Sequence, residues 1–273
     1  MSYPQGVVGS SQRQGSPPMP EWYRESFDEL YSEIYSHRDE EEAELAVELL
    51  GRFVRLPGSA VLDVACGQGR HLRALSRSGA RGHGLDLSAA LLKRRHDAAR
   101  RCPGACVRGD MRHLPFRGGS FDTCMSMFTS LGYFGKTEDE VAVLKEMARV
   151  LKPRGHCFVD HGNLTWLKKH LEPRTLKKRD RFTILETRAF QEDGRTVEKE
   201  ISLYAAGVRR RAISEAKPLR RYRERVAFFT LRELGNLLTR AGFEVVRAFG
   251  DYDGSRFEER SSRRLLVLSR RLR

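Results

Sequence analysis

The segment from Val61 to Arg70 has the composition of a ligand-binding turn. It reads Val-Leu-Asp-Val-Ala-Cys-Gly-Gln-Gly-Arg, an apolar strand that runs into two glycines and then into a helical pattern. Glycine has no Cβ, so Gly67 and Gly69 let a bound molecule approach the backbone closely. A dinucleotide-binding fingerprint requires Gly or Ala where this chain has Leu72, which disfavours NAD as the cofactor.

Three aspartates lie at or just after the ends of predicted strands in this region. Asp63 ends the first strand, Asp86 ends the second, and Asp110 follows the third and precedes Met111. The carboxyl ends of parallel strands form the edge where open α/β sheets bind ligands. A carboxylate at the position of Asp86 is able to accept hydrogen bonds from both hydroxyls of a ribose. These strand-end carboxylates are therefore candidate ligand-binding residues.

The hydrophobic pattern predicts the scaffold that positions these residues. From residue 60 onward, short apolar runs alternate with helical patterns, which is typical of a parallel sheet covered on both faces. Two capping boxes, Thr137 with Glu140 and Thr230 with Glu233, predict the starts of two further helices. The predicted strands are 60–64, 82–87, 105–109, 121–128, 156–160, 244–249 and 265–269, and the first two helices are 70–78 and 89–101.

The flanking segments have different compositions. Residues 1–20 are rich in Ser, Gln, Gly and Pro, which predicts a disordered tail. Residues 21–57 predict a helical cap, and two-residue alternation within 163–229 predicts an inserted antiparallel sheet. We therefore expect five parts: the tail 1–20, the cap 21–57, an α/β core 58–162, the inserted sheet 163–229, and a C-terminal part of the core 230–273.

In this order, the strand-end signals resemble those of class I S-adenosylmethionine (SAM)-dependent methyltransferases, small-molecule enzymes of the methyltransferase domain 25 type. Ala65 stands where that family has its first glycine. The resemblance implies a Rossmann-like seven-stranded α/β sheet with an N-terminal helical cap and an inserted antiparallel β lid. It places Asp110 against the adenine amino group. The cofactor residues that it implies are Asp63, Ala65, Gly67, Gly69, Asp86, Leu87, Asp110, Met111 and Phe128, with Tyr31 and Arg38 from the cap.

Some of these roles have alternatives. Arg38 is expected to pair with the carboxylate of SAM, but a packed Tyr31 and a solvated Arg38 fit the cap equally well. Methyl transfer from a sulfonium needs a base only when the acceptor arrives protonated. His161, directly after the fifth strand, is the candidate base, and a hydrogen-bonded structural histidine is its alternative. Tyr133, in the segment that borders the reactive methyl in similar enzymes, is the second candidate catalytic residue.

A second site prediction concerns the loop before the last strand. If residues 244–249 run parallel to the core strands, Asp251, Tyr252 and Asp253 lie at the same edge as the cofactor and form a wall of the acceptor pocket. A solvated acidic turn is the alternative.

Charge and composition limit the function classes. The 273 residues carry a formal net charge of +14, and residues 161–273 hold 28 Lys and Arg against 15 Asp and Glu. A basic half is compatible with a nucleic-acid surface, but a solvated basic face explains it as well. We expect a small-molecule acceptor of O- or N-methylation. The alternatives are an RNA methyltransferase, a SAM-binding protein without transferase activity, and an NAD-dependent oxidoreductase.

The remaining predictions are absences. No run of about 18 apolar residues occurs and no apolar signal segment begins the chain, so we expect no membrane span and a cytoplasmic location. The five cysteines form no CxxC pair and are expected to be reduced thiols, and no His or Cys spacing predicts a metal. The sequence leaves the oligomeric state open.

Overall fold

The computed structural model describes residues 22–28, 40–98, 105–179, 181–208 and 216–272, together with Leu30, Ile34 and Ile213. The strands are β1 (Ala60–Val64), β2 (Arg81–Asp86), β3 (Cys106–Arg108), β4 (Phe121–Ser126), β5 (Leu151–Gly162), β6 (Arg174–Lys178), β7 (Phe182–Phe190), β8 (Thr196–Ala205), β9 (Arg220–Ala227), β10 (Phe243–Phe249) and β11 (Arg264–Arg271). The helices are α1 (Tyr23–Ser26), α2 (Glu40–Gly51), α3 (Arg70–Arg77), α4 (Ala89–Ala98), α5 (Thr137–Val150), α6 (Leu164–His170) and α7 (Leu231–Arg240).

Seven strands form the central sheet, in the order β10-β11-β5-β4-β1-β2-β3. Neighbouring strands from β5 to β3 are parallel, whereas β11 is antiparallel to both β5 and β10. Strand β10 therefore points the same way as the core strands, as predicted. The carboxyl ends of β1, β2, β4, β5 and β10 share one edge of the sheet, where ligands bind in folds of this class. The predicted seven-stranded α/β sheet is confirmed.

Helices cover both faces of this sheet, which explains why β1 is apolar at every position except Asp63. All five residues of β1 are buried. Alternate side chains enter different cores, since Leu62 packs in the cluster that includes α5 and α7, and Val61 packs in the cluster that includes α2 and α3.

The second sheet has four antiparallel strands in the order β6-β7-β8-β9 and lies within the predicted insertion. Ile184, Ile201 and Tyr222 pack together on one of its faces with Ile34 from the N-terminal region. The Tyr222 hydroxyl donates to the carboxylate of Asp28 at 2.7 Å. The inserted antiparallel sheet is confirmed, and the N-terminal region contacts it.

The two predicted capping boxes have different outcomes. Thr230 caps α7, and the side chains of Thr230 and Glu233 bond to each other's backbone N–H as predicted. The box predicted for Thr137 and Glu140 is wrong, because α5 begins after Lys136 without a side-chain cap. The carboxylate of Glu140 is used elsewhere, in the candidate site described below. Helix α4 is described to Ala98, and the last residues predicted for it lie outside the described part of the chain.

Within the described residues, no helix is long and apolar enough to cross a membrane.

Candidate functional site

The turn between β1 and α3 has an unusual backbone. Ala65, Gly67 and Gly69 all have positive φ, of 64°, 53° and 73°. The N–H of Gly67 donates to Asp86 at 2.7 Å, and the second oxygen of that carboxylate accepts the N–H of Ser88 at 2.8 Å. Asp86 therefore ties the turn after β1 to the turn after β2, and because a carboxylate has about four lone-pair sites, it retains capacity to accept a bond from a ligand hydroxyl. Burial raises the pKa of Asp86 to about 6.

Asp63 lies beneath this turn with its carboxylate unsatisfied. Only 1% of the residue is exposed, and neither oxygen has a hydrogen-bond partner among the described residues. The Nδ1 of His71, on the following helix, lies 3.7 Å from one oxygen. Burying a carboxylate without partners is energetically costly. A hydrogen-bond donor or a cation bound next to Asp63 would remove this cost.

Asp110 and Met111 follow β3. The carboxylate of Asp110 accepts the backbone N–H of Arg112 at 2.9 Å and pairs with its guanidinium at 2.7 Å. Met111 is buried in the core cluster. Leu87, after β2, is half-buried, and its carbonyl accepts a hydrogen bond from Arg108 at 3.1 Å. A contact between Asp110 and an adenine amino group would share the carboxylate with Arg112.

The turn after β4 stores backbone strain. Phe128 and Thr129 are consecutive non-glycine residues with φ of 56° and 59°. Such a conformation costs roughly 1–2 kcal/mol per residue and is rarest for β-branched side chains such as Thr129. The side chain of Asp160 accepts the N–H of Phe128 at 3.0 Å, and its main-chain carbonyl accepts the N–H of Thr129 at 2.9 Å. Strained backbone of this kind concentrates at functional sites.

This turn faces the glycine turn through Phe128. The guanidinium of Arg70 lies 3.8 Å from the centre of the Phe128 ring, and the imidazole of His71 lies 5.3 Å from it. Both partners belong to α3, directly after Gly69. The structure therefore brings the predicted residues Gly67, Gly69 and Phe128 to one place.

A buried network holds Asp160 from its other side. The hydroxyl of Tyr252 donates to the carboxylate at 2.6 Å, and the guanidinium of Arg264 lies 3.6 Å from the same oxygen. Arg264 also pairs with Glu42 of α2 and, at 3.2 Å, with Asp251. Tyr252 is only 3% exposed, and burial raises its pKa well above the usual value. It contacts a core carboxylate, whereas Asp251 and Asp253 are exposed.

A cleft of about 560 Å³ opens beside this network. It lies between the first turn of α2, the ends of β4 and β5, and the start of β11. Its lining includes carboxylate, guanidinium and aromatic side chains: Glu41, Glu42, Leu45, Phe128, Thr129, Asp160, His161, Gly162, Arg263 and Arg264. Neither Arg264 nor Glu42 had a sequence signal, because a single Arg or Glu without a motif resembles any surface residue.

His161, the candidate base, is completely buried. Its ring nitrogens lie 3.0 Å from the carbonyl oxygen of Gly162 and 3.2 Å from that of Leu131. Phe228 and Phe229 pack against the ring, and burial lowers the pKa of the imidazole. With both nitrogens directed at backbone carbonyls, the structure favours the alternative of a structural histidine.

Tyr133, the second catalytic candidate, is half-buried among aromatic rings. It stacks on Phe27 with 6.0 Å between ring centres and lies 4.9 Å from Trp22. Its segment is held by Glu140, whose carboxylate accepts the N–H of Gly132 at 2.9 Å and that of Phe134 at 3.0 Å. The predicted cofactor residues Tyr31 and Arg38 lie outside the described residues.

Comparison with known proteins identifies this arrangement. Residues 61–155 match the model of a methyltransferase domain family. The chain carries a class I SAM-dependent methyltransferase domain. The chain is 29% identical to the cypemycin N-terminal methyltransferase of a Streptomyces species over 79% of its own length and 84% of that protein. SAM is the cofactor of this methyltransferase.

Solved structures share its fold. The CcbJ methyltransferase from Streptomyces caelestis superposes with a TM-score of 0.76 at 17% identity, over 92% of this chain and 99% of that one. SAM-bound CalS10, an amino pentose methyltransferase from Micromonospora echinaspora, superposes with a TM-score of 0.60 at 21% identity, over 89% and 96% of the two chains.

The methyltransferase site suits the chemistry of SAM. SAM carries an ammonium, a sulfonium and ribose hydroxyls. The unsatisfied carboxylate of Asp63 suits a cationic donor such as the ammonium group. The carboxylate of Asp86 can accept hydrogen bonds from hydroxyl groups in addition to its bond with Gly67. The open backbone at Gly67 leaves space beside these carboxylates, since the nearest atom to an added Cβ there is a Leu91 methyl group at 3.9 Å. Among the described residues, no group of three or more His, Cys, Asp or Glu is placed to hold a metal ion.

The protonation of Glu140 predicts how the stability of the methyltransferase depends on pH. Burial raises the pKa of its carboxyl to about 7, from 4.5. The folded state therefore retains this proton when the unfolded chain has lost it, and the free energy of unfolding falls as pH rises between these values, by about 3 kcal/mol in total. We expect Glu140→Gln, which stays neutral, to remove this fall in urea unfolding at about pH 5 and about pH 8.

Glu146, on the same helix, is the control for this prediction. It accepts the N–H of Leu114 at 2.8 Å, and its bond to Arg149 lowers the pKa of its carboxyl. Glu146→Gln should leave the fall in place. An unchanged pH dependence in Glu140→Gln would show that Glu140 is ionised in the folded protein at neutral pH.

Proposed function

We propose that the enzyme transfers the methyl group of SAM to a nitrogen or oxygen atom of a small-molecule acceptor by in-line displacement. The observation that carries this proposal is the cleft beside Phe128 and Thr129, whose size of about 560 Å³ is that of a small-ligand site. Phe128 contacts α3 on one side and lines the cleft on the other. A donor held at the glycine turn and an acceptor held in the cleft would meet at this residue.

The contacts described above support a proposed assignment of the cofactor residues. Asp63 would bind the ammonium group, Asp86 the ribose hydroxyls, and the backbone at Gly67 and Gly69 would lie against the cofactor. Asp110 and Met111 would contact the adenine. Ala65, Leu87 and Phe128 complete the proposed cofactor residues, with Tyr31 and Arg38 proposed from the sequence alone.

Bound SAM supplies a methyl group on a positively charged sulfur, which is an excellent leaving group. The protein then has to align the acceptor and exclude water. Phe128 lines the cleft and would be one apolar wall, and we propose that the aromatic cluster of Tyr133, Phe27 and Trp22 is a second. The buried His161 is not assigned as a base, so we propose that the acceptor reacts as a neutral amine or as a hydroxyl whose proton leaves to solvent.

Nitrogen is the better supported acceptor atom. In the cleft, the carboxylates of Glu42 and Asp160 face Arg264. The exposed carboxylate of Glu41 is available to accept a hydrogen bond from the N–H of a neutral amine. The names of two similar proteins, an N-terminal methyltransferase and an amino pentose methyltransferase, support the same choice. We propose that the inserted sheet, residues 163–229, is the lid of the acceptor site, and that 21–57, 58–162 and 230–273 form the cap and the two parts of the core.

Transfer to RNA is the second candidate, and the basic C-terminal half is the observation that favours it. A small part of that charge is paired within the inserted sheet. The buried carboxylate of Glu186 binds Lys177 and Lys199, each at 3.1 Å, and Arg188 at 2.5 Å. These three cations are therefore engaged with a carboxylate, and the other basic residues of this half keep RNA as the alternative to test.

A screen with methyl-labelled SAM and cell extract tests the proposal. We expect label in the small-molecule fraction, with a rate that changes little between about 50 and 200 mM salt, because few phosphates are neutralised. Label in RNA, with affinity that falls by orders of magnitude over the same salt range, would establish the RNA alternative instead. SAM binding without label in either fraction would indicate a binding protein without transferase activity.

A further inference from the structure

We propose that Asp160 is a positioning residue, which Tyr252 and Arg264 hold in place so that the Phe128–Thr129 turn keeps its left-handed conformation between donor and acceptor. The inference rests on the proposed function for the meaning of this turn. The dependence of the turn on Asp160 is argued only from contacts within the protein and does not require the proposed function.

The first step concerns the strain. Two successive non-glycine residues in the left-handed region revert to ordinary backbone unless other contacts oppose it. Asp160 supplies two such contacts, one from its carboxylate to Phe128 and one from its carbonyl to Thr129. The described structure thus satisfies both N–H groups of the turn with a single residue on the neighbouring strand.

The second step concerns the orientation of Asp160 itself. The carboxylate oxygen that accepts the Phe128 N–H is the one that binds the Tyr252 hydroxyl and faces Arg264. Arg264 also donates to the Tyr252 hydroxyl at 3.3 Å. A charged network of this kind, buried to 2% exposure at Asp160 and 3% at Tyr252, restricts the rotation of the carboxylate.

The third step connects the turn to the reaction. In-line displacement depends on alignment, and a displacement of about 1 Å lowers its rate severely. Phe128 touches the helix that follows the glycine turn, and Thr129 lines the cleft. A relaxed turn would move both walls at once, so Asp160 acts on the transfer through Phe128 and Thr129 without contacting the reacting atoms.

A matched control for Asp160 is Asp122, at the end of β4 opposite to the Phe128–Thr129 turn. The carboxylate of Asp122 accepts the backbone N–H of Ala60 at 2.8 Å and pairs with Lys152 at 2.7 Å. Like Asp160, it therefore binds one backbone N–H and one cation. It lies at the amino-terminal end of the strand, away from the cleft.

The test compares Asp160→Ala with Asp122→Ala, using amide hydrogen exchange by NMR and SAM affinity by calorimetry. We expect exchange at Phe128 and Thr129 to accelerate at least about tenfold in Asp160→Ala and to stay within about twofold in the control. SAM affinity should fall about fivefold in Asp160→Ala only. Tyr252→Phe, which removes one hydroxyl, should show smaller changes of the same kind and keeps the test available if Asp160→Ala does not fold.

A rescue variant separates positioning from general stability. Glycine adopts the left-handed region at little cost, so adding Thr129→Gly to Tyr252→Phe or to Asp160→Ala should restore SAM affinity to within about twofold of the parent. A network that only stabilised the fold would not be rescued. Unchanged exchange at Phe128 and Thr129 in both variants, or failure of the rescue, overturns the proposal.

The proposed function fails by a different result. If the screen finds no methylated small molecule while exchange and rescue behave as expected, Asp160 still holds the turn and the acceptor class is wrong. If a small molecule is methylated and the exchange at the turn does not respond to Asp160→Ala, only the positioning role is wrong.

Discussion

Gly132→Ala is expected to destabilise the protein by about 3–5 kcal/mol, the largest single effect we anticipate, because it combines backbone strain with a steric clash. Gly132 has a φ of 104°, and an added Cβ would lie 2.3 Å from the carbonyl oxygen of Ala227. The obstacle is backbone, which cannot rotate away as a side chain does. The N–H of Ala227 also donates to the Gly132 carbonyl at 2.8 Å. The clash would therefore break the backbone contact between the segment near Tyr133 and strand β9.

Gly119→Ala isolates the clash from the strain. Gly119 also has a positive φ, of 68°, but no atom lies within 4 Å of an added Cβ. Its substitution should cost about 1–2 kcal/mol. Urea unfolding of the two variants measures the difference, and equal losses would show that the junction between Gly132 and Ala227 is loose in solution.

The glycine turn after β1 belongs to the part of the site that can be predicted from the sequence. Asp63 lies near the end of β1, and Gly67 and Gly69 follow that strand, while Phe128 follows β4 of the same sheet. A strand followed by a glycine-containing turn and a helix is a local pattern. The parallel order of the sheet then brings their strand ends together. The positive φ of Ala65 shows why a glycine is suited to that position.

Residues that act over long separations were not predicted. Asp160 and Tyr252 are 92 residues apart, and no spacing rule connects them. The sequence placed Tyr252 correctly in a loop at the ligand edge, but predicted a pocket wall or a solvated turn. Its hydroxyl is buried against a carboxylate because β11 returns antiparallel beside β5, which is a property of the assembled sheet.

Glu140 shows a different limit. The spacing of Thr137 and Glu140 is that of a capping box, and at Thr230 and Glu233 the same spacing forms one. At α5 the carboxylate instead satisfies two buried N–H groups of the preceding loop. Unpaired buried amides are more costly than an uncapped, solvent-accessible helix end, so tertiary structure overrides the local motif.

Asp86→Ala is expected to weaken SAM binding by about 2–3 kcal/mol, or roughly 30- to 150-fold, while the fold persists. The variant removes the proposed acceptor of the ribose hydroxyls and also releases the N–H groups of Gly67 and Ser88. Asp193→Ala is the matched control, since its carboxylate likewise accepts two backbone N–H groups, from Arg195 at 3.0 Å and Thr196 at 2.8 Å. Calorimetry should show unchanged SAM affinity in the control.

The pH dependence of SAM affinity gives Asp86 a second, independent readout. With its pKa raised to about 6, the carboxyl is ionised at neutral pH and becomes protonated as the pH falls through that value. The ionised form is the stronger acceptor for hydroxyl groups, so SAM should bind more weakly at about pH 5 than at about pH 7.5. Asp86→Asn, which does not titrate, should bind weakly at both values. If SAM affinity and its pH profile are the same in Asp86→Asn as in the parent enzyme, the ribose is held by other residues and the assignment of Asp86 is wrong.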